Sequence, residues 1–271
     1  MSRPFSFLWN DEGGCGMFKD EYQAVGNVAK GKVALLEKNP LAYVLASVLA
    51  GLYIGFGSIL MGFVGGCLAG QPAQKLVCGI VFSVGLCFVT MAGAELFTGN
   101  NFVMASAGMQ KAVRWGQVVK LWIVCYIGNL IGSVVASAIF TMTGICSSNE
   151  AVGEFFANAA AGKMAGTPAN LFAKAILCNI LVCIAIWCGT KMKSEGAKMF
   201  MNFCCVGTFV TCGFEHSIAN MTFLSIGLMN PMGKAITMGG FFYNLGIVTL
   251  GNMVGGILFV AVPYYVISRE K

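Results

Sequence analysis

The amino-acid sequence predicts an all-α integral membrane protein with six transmembrane helices. Of its 271 residues, 57% are hydrophobic and 10% are charged, whereas a soluble domain carries about a quarter charged residues. Six stretches are nearly free of charge, and each reaches the roughly 20 apolar residues of a spanning helix, the fourth with help from its flanks. They are residues 41–74, 76–94, 121–149, 175–190, 199–234 and 235–268. Segments of alternating hydrophobicity, which a membrane β-barrel needs, are absent from the sequence.

The positions of lysine and arginine predict the orientation of the chain. Six spans place both termini on the same side of the membrane. Thirteen of the 17 Lys and Arg residues fall on that side, and Lys75, Lys163, Lys174 and Lys234 fall on the other. By the positive-inside rule we expect both termini in the cytoplasm. The net charge of +6 reflects this topology, and no nucleic-acid partner is expected because no basic groove interleaved with aromatic residues is visible.

The twelve cysteines do not form a recognisable metal-binding pattern. No C-x-x-C motif occurs, and the chain has one histidine. Most of the cysteines stand singly in apolar runs, where cysteine acts as a small, soft hydrophobic residue. The sequence therefore predicts neither a metal site nor a cofactor.

The predicted spans divide the chain into five parts. Within the first part, residues 20–38 form an amphipathic pattern that we expect to lie as a helix along the cytoplasmic membrane surface. The parts are a cytoplasmic N-terminal segment (1–40), a first set of three helices (41–143), an extracytoplasmic connection (144–167), a second set of three helices (168–267) and a cytoplasmic tail (268–271). The connection is long enough to fold back toward the mouth of the protein.

Three local patterns occur twice, in the same order. The first is a helix start, Asn39-Pro40 and then Thr167-Pro168, with an N-cap residue followed by proline at the first helical position. The others are GAELFTGN with GFEHSIAN, 120 residues apart, and Gly128-Asn129 with Gly251-Asn252, 123 residues apart. Because each half holds three spans, the second half must insert upside down relative to the first. This predicts an inverted 3+3 repeat, with helices two and five broken at the glycine and glutamate motifs.

Each break carries one carboxylate, Glu95 or Glu215, followed five residues later by Asn100 or Asn220. A carboxylate at membrane depth costs several kcal/mol unless it is neutralised or hydrogen-bonded. We expect residues 96–100 to be an unwound turn whose exposed backbone amides bond to Glu95. Direct lining of a pathway by the carboxylates is the alternative, although Leu96, Phe97 and Thr98 suit that role better.

Two further residues have both a functional and a structural interpretation. His216 lies at the second break, where imidazole is costly to bury and can exchange a proton near neutral pH; it is otherwise a structural core residue. Lys163 lies among small apolar residues, where it either attracts anions to the mouth or is a solvated loop lysine. Phe82, Leu86 and Phe209 form either a dry constriction or ordinary packing, and their periodicity favours packing.

Four motifs in this sequence together resemble the formate/nitrite transporter family. They are AELFTGN, AILCNILVCIAIW at residues 175–187, GFEHSIANM and GNMVGG. The resemblance extends over residues 20–267 and is greatest to the hydrosulfide ion channel branch. It implies an aquaporin-like six-helix protomer, a homopentamer in the bacterial cytoplasmic membrane with lipid around it, and a pore in each protomer for formate, nitrite or hydrosulfide.

The resemblance also implies roles for individual residues. His216 would be the central pore histidine, Lys163 the vestibule lysine and Asn179 the asparagine of span four. Two constrictions are implied as well. The outer one would consist of Phe82, Leu86 and Phe209, and the inner one of Leu96, Phe97 and Val182, beside an omega-shaped loop that carries Thr98.

The sequence therefore predicts a channel for small monovalent weak-acid anions, with hydrosulfide first and formate or nitrite as alternatives. A water or glycerol pore is a more remote alternative, because aquaporin-type pores carry two Asn-Pro-Ala boxes and an arginine filter, which this sequence lacks. An enzyme is not expected. Glu215 and His216 could act as acid and base, but no nucleophile, metal cluster or cofactor motif accompanies them.

Overall fold

The computed structural model describes residues 18–269, and every regular element in this range is helical. The elements are α1 (Lys19–Lys38), α2 (Pro40–Cys67), α3 (Gln74–Phe82), α4 (Val84–Phe88), a π-helical turn (Val89–Gly93), α5 (Phe97–Met109), α6 (Trp115–Met142), α7 (Ile145–Ser148), α8 (Glu150–Ala165), α9 (Pro168–Lys191), α10 (Glu195–Thr211), α11 (Ser217–Met229), α12 (Met238–Gly256), a second π-helical turn (Ile257–Ala261) and α13 (Val262–Ile267). The N-terminal residues 1–17 and the last two residues of the predicted tail lie outside the described range.

Five helical stretches within this range are long and apolar enough to cross a membrane. They are Pro40–Cys67, Gln74–Gly93, Trp115–Met142, Pro168–Lys191 and Met238–Ile267. Helix α11 is also apolar, but its 13 residues are fewer than a crossing needs. The helical membrane class is thereby confirmed.

The two predicted helix starts, those of α2 and α9, have the expected geometry. The Asn39 side chain accepts a hydrogen bond from the Ala42 amide at 3.2 Å, and the Thr167 hydroxyl accepts one from the Asn170 amide at 3.4 Å. Each bond satisfies one of the amides that lack a partner at a helix start. Proline follows each cap.

Small residues allow the long helices to pack closely in pairs. Helix α2 packs on α6, and α9 packs on α12. A β-carbon at Gly132 would overlap the Val48 carbonyl, and one at Gly255 would overlap the Ile176 carbonyl. Glycine is therefore required at both crossings, as in other closely packed membrane helices.

Helices α1 and α8 each lie against one half of the bundle. Helix α1 buries Tyr22, Val25, Ala29, Val33 and Leu36, at spacings of three and four residues, against α5 and α2. This confirms the helix predicted at residues 20–38, while its position on a membrane surface stays a prediction. The segment 144–167 does fold back, because α8 packs against α11, α2 and α12.

The first helix interruption is shorter than the sequence analysis predicted. The first π-helical turn ends at Gly93, whose φ of 80° suits glycine, and the chain is non-helical only at residues 94–96. The prediction that residues 96–100 are unwound was wrong for Phe97 onward, and Thr98 lies in the first turn of α5, outside any loop. The helix can begin at Phe97 because the Asn129 side chain accepts its amide hydrogen at 2.9 Å.

The second interruption has the same form. Helix α10 ends at Thr211, Gly213 has a φ of 70°, and α11 begins at Ser217. The Ser217 amide donates to the Asn252 side chain at 2.9 Å. Both interruptions are thus closed by an asparagine from a neighbouring long helix, α6 or α12.

Candidate functional site

The first polar cluster is centred on the carboxylate of Glu95, and we call Lys32, Glu95 and Asn100 the first triad. The Lys32 ammonium from α1 lies 2.6 and 2.7 Å from the two carboxylate oxygens. The Asn100 amide and the Tyr43 hydroxyl donate to Oε2 at 3.0 and 3.2 Å. Charge-assisted bonds of this kind offset part of the desolvation cost of a buried carboxylate.

The second triad consists of Lys163, Glu215 and Asn220. The Lys163 ammonium from α8 lies 2.9 Å from Glu215 Oε2, and the Asn220 amide donates to the same oxygen at 2.6 Å. Asn244 links the members of this triad, because its side chain accepts from Asn220 at 2.8 Å and donates to the Lys163 carbonyl at 2.9 Å. The two triads occupy corresponding positions in the two halves.

The expected bonding of Glu95 was wrong in one respect. The bonds to both carboxylates in the described structure come from side chains rather than from the backbone amides of the break. The amides after each break are taken by Asn129 and Asn252, whose oxygens are nearer to the helix starts. The carboxylates therefore pair with lysines of α1 and α8, and their structural role stays a prediction.

The side chains of Asn129 and Asn252 each make three hydrogen bonds with the same pattern. Besides accepting an amide hydrogen, the Asn129 amide donates to the carbonyls of Ser47 and Glu95, at 2.7 and 2.8 Å. The Asn252 amide donates to the carbonyls of Ala175 and Glu215, at 2.8 and 2.9 Å. Each asparagine thus fastens one break to the long helix beside it.

At the centre, the two halves meet through His216 and Thr98. The His216 Nε2 lies 3.0 Å from the Thr98 hydroxyl, and both side chains are buried. The His216 Nδ1 accepts the Ala219 amide hydrogen at 3.1 Å, which caps α11. Because Nδ1 acts as an acceptor, the neutral ring carries its hydrogen on Nε2 and donates it to Thr98. Protonation of Nδ1 would break the cap.

Apolar rings continue from the histidine on one side. The Phe209 ring is stacked on the imidazole with 5.8 Å between centroids, and the Phe82 ring contacts Phe209 edge-on at 6.1 Å. Leu86 is buried in the same hydrophobic core. The structure thus brings Phe82 and Phe209 into contact next to His216.

The three residues expected at the inner constriction lie in different surroundings. Leu96 lines a cavity that begins at the first break, whereas the Phe97 ring packs edge-on against Tyr126 of α6 at 5.0 Å. Val182 is buried in α9, one helical turn from Asn179. The Asn179 amide donates to the carbonyls of Thr98 at 3.3 Å and Asn252 at 2.7 Å, so Asn179 joins the two halves.

The cavity at the first break has a volume of about 780 Å³. Its wall includes both charged members of the first triad and, from α10, Glu195, Lys198 and Asn202. The Asn202 amide donates to the Thr90 hydroxyl at 2.8 Å and so fastens α10 to the first π-helical turn. The cavity leads to Leu96, two residues before Thr98.

Sequence reasoning missed several of these polar partners. They are Lys32, Tyr43, Asn129, Asn202, Asn244 and Asn252. The repeated Gly-Asn pairs did signal that Asn129 and Asn252 have equivalent places. Lys32 carried no such signal, because one lysine among several on α1 is indistinguishable until the helix is docked.

Known proteins resemble this chain over almost its whole length. Residues 19–266 match the family model of the formate/nitrite transporters. The chain is 34% identical to the nitrite transporter NirC of Escherichia coli strain K12 over 251 residues, which are 92% of each chain. Among solved structures it resembles an FNT family ion channel with a TM-score of 0.87 and 30% identity, covering 93% of this chain and 100% of that one. It also resembles a pentameric formate channel with formate bound, with a TM-score of 0.77 and 31% identity, covering 85% and 98%.

The helical membrane fold, with two interruptions that meet at a buried histidine, defines a multi-pass membrane transport protein. The similarities cover most of the chain and all indicate one family. The chain belongs to the formate/nitrite transporter family, as its motifs predicted.

Proposed function

We propose that this protein is a channel for small monovalent anions of weak acids, with hydrosulfide as its first substrate and formate or nitrite as the alternatives. The observation that carries the proposal is the contact between His216 and Thr98. It places one titratable donor and one hydroxyl at the junction of the two halves, between the ring of Phe209 and the cavity that leads to Leu96.

The proposed pathway begins at the second triad. Lys163 is paired with Glu215, but 18% of its side chain is exposed, and an ammonium has three hydrogens to donate. It therefore keeps donors for an arriving anion, even though the pair as a whole carries no net charge. Attraction of anions by Lys163 is thus a local effect in this proposal.

Next, the anion passes the apolar rings of Phe82 and Phe209. A hydrated ion loses its water there, which is costly unless new hydrogen bonds replace that water. His216 Nε2–H and the Thr98 hydroxyl supply such bonds once they release each other. An anion that takes up a proton from solvent at this point becomes a neutral acid. In that form it passes the inner constriction, where we place Leu96, Phe97 and Val182.

Hydrosulfide is placed first because the sequence motifs resemble the hydrosulfide ion channel branch most. The described side chains that meet at the centre supply two polar groups, those of Thr98 and His216. The relatives named as nitrite and formate proteins are similarly distant from this chain, at 34% and 31% identity, so identity favours neither alternative.

The proposal includes an assembly and a topology. We assign six spans to the chain. The second span comprises α3 to α5 with the first π-helical turn, and the fifth comprises α10 and α11. The chain keeps the five parts predicted from its sequence. The similarity to a pentameric channel supports a homopentamer. The excess of lysine and arginine supports cytoplasmic termini in a bacterial inner membrane.

Flux measurements in liposomes test the proposed substrate class. Purified protein is reconstituted, and entry of hydrosulfide, formate, nitrite and glycerol is compared with entry into protein-free liposomes. We expect all three anions to enter faster with the protein, hydrosulfide most, and glycerol to be unchanged. Faster glycerol entry without anion entry would instead establish a neutral-solute pore, and a formate or nitrite rate above that of hydrosulfide would establish the alternative substrate.

A further inference from the structure

Two adjoining cavities lie away from the triads, where the ends of α5, α6 and α13 meet. Their volumes are about 360 and 560 Å³, and they share Met109, Lys111 and Tyr265 in their walls. The loop from α5 to α6 forms the common edge. Nothing in the proposed anion pathway uses these cavities.

The charged side chains in the walls are all basic. Lys19, Lys111 and Arg269 line the smaller cavity, and Lys111 and Arg114 line the larger one. Among the described residues of both walls, no Asp or Glu is present. Lys111 is held at this edge by a left-handed backbone with a φ of 58°. Lys111, Arg114 and Arg269 on one concave surface produce a local positive potential that favours an anionic group.

A buried hydroxyl in the smaller cavity has no partner. Ser268 is 7% exposed, lines the cavity, and its Oγ makes no hydrogen bond within the described structure. Such groups are rare in folded proteins because each costs the desolvation of the polar atom. By contrast, the neighbouring Gln110 amide is already used, since it donates to the Tyr22 carbonyl at 2.8 Å. Because less than 1 Å² of the Ser268 Oγ is accessible, the hydroxyl lies beneath the cavity wall, and the basic side chains are the groups that an anion can reach.

An apolar row begins at the wall of the larger cavity and runs up α6. Its members recur at every fourth position and are 46–55% exposed: Trp115, Val119, Ile123, Ile127 and Ile131. Residues four apart on a helix lie on one face. Trp115 and Tyr265 at the cavity are amphipathic side chains typical of the boundary between hydrocarbon and water. The basic surface is thus continuous with a row that hydrocarbon can cover.

We propose that the two cavities bind the phosphate headgroup of an anionic phospholipid, with an acyl chain along the apolar row of α6. Basic pockets between membrane helices bind such headgroups through lysine and arginine. The apolar row favours a lipid over free phosphate, because inorganic phosphate would leave it uncovered. In the proposed topology this lipid belongs to the cytoplasmic leaflet. The proposal does not depend on which anion the channel carries.

Lipid retention by the purified full-length protein tests this inference. The probes are phosphatidylglycerol and phosphatidylcholine with identical acyl chains, measured by native mass spectrometry, and inorganic phosphate as a competitor. The test variant is Lys111→Asn/Arg114→Gln/Arg269→Gln, in which asparagine tolerates the left-handed backbone. The matched control removes three exposed charges elsewhere, by Lys75→Gln/Lys193→Gln/Lys234→Gln.

We expect the wild type and the control to retain phosphatidylglycerol in preference to phosphatidylcholine. The test variant should lose affinity about fivefold for each charge removed. Equal retention of both lipids, equal retention by the test variant, or displacement by inorganic phosphate alone would overturn the proposal. An assembly whose subunit contacts exclude lipid from α6 would retain no phosphatidylglycerol and would overturn it as well.

Single variants keep the test decisive if the triple variant does not fold. Arg114→Gln and Arg269→Gln each remove one charge from one cavity, and both should weaken retention of phosphatidylglycerol relative to Lys193→Gln. The readout is independent of transport, so a failure of the proposed function would not alter it.

Discussion

At the scale of the residue, the two ring nitrogens of His216 make two different contacts. Its Nδ1 caps α11, and its Nε2 reaches Thr98 in the other half. A histidine that caps a helix through Nδ1 is held in one orientation and one tautomer. Because Nε2 already carries its hydrogen, the ring can gain a proton only at Nδ1, and that proton would cost the cap. In the capped state His216 therefore acts as a hydrogen-bond donor through Nε2.

His216 can be tested with two substitutions that separate the cap from the proton. In His216→Asn the side chain still accepts a hydrogen bond at the helix start but does not titrate, whereas His216→Phe removes both functions. We expect both variants to change the pH profile of anion flux, and His216→Phe to lower thermal stability as well, by about 1 kcal/mol for the lost cap. A pH profile that is unchanged in both variants would remove the proton role of His216.

Substitutions of Lys163 test its proposed role in anion entry. Lys163→Glu should weaken anion entry. It should also lower the free energy of unfolding by about 3 kcal/mol or more, because it breaks the buried pair with Glu215 and places a second carboxylate beside it. Lys163→Arg keeps the positive charge and is the matched control. Flux over a range of anion concentrations and thermal unfolding in detergent measure the two effects. Wild-type flux in Lys163→Glu would contradict the proposed role in anion entry.

At the scale of the element, the interruptions are specified by glycine and by asparagine together. Gly93 and Gly213 supply the positive φ at which a helix can end. Asn129 and Asn252 then satisfy the amides and carbonyls that the interruption leaves without partners. Because an unpaired backbone group inside a membrane costs several kcal/mol, each break requires its asparagine.

The same asparagines require that their helices stay close to the breaks. Gly132 and Gly255 let α6 and α12 approach their neighbours, because a β-carbon at either position would overlap a backbone carbonyl. Gly132→Ala and Gly255→Ala should therefore each lower the free energy of unfolding by about 1–3 kcal/mol. Gly116→Ala is the matched control, since a β-carbon there meets nothing within 4 Å. Thermal unfolding in detergent measures the difference, and equal midpoints for Gly132→Ala and Gly116→Ala would show that the close approach is unimportant.

At the scale of the whole molecule, the two triads make equivalent contacts in the two halves. Helix α1 is fastened to the first break by Lys32, and α8 is fastened to the second by Lys163. Each carboxylate therefore ties a helix outside the long bundle to an interruption inside it. One ion pair thus connects α1 to a residue three positions from Thr98, and another connects α8 to the residue next to His216.

The assembly state is a prediction at this scale. The long helices expose large apolar side chains, such as Ile123 and Ile139 on α6 and Leu250 on α12, which lipid or neighbouring subunits must cover. We expect a homopentamer of this 28.6 kDa chain, measured as intact mass by native mass spectrometry from a mild detergent. A stable monomer or dimer under conditions that preserve anion flux would contradict it.

The sequence by itself determined the membrane class, the family, the helix starts and the repeated positions of Glu95 and Glu215. These follow from local chemistry, because hydropathy, N-caps and motif spacing are all written in neighbouring residues. Only the tertiary structure decided that Lys32 is the partner of Glu95, that the first break ends at Leu96, and that asparagines from α6 and α12 close both breaks. Those contacts join residues far apart in the chain, and many side chains of the same type compete for each of them until the helices pack.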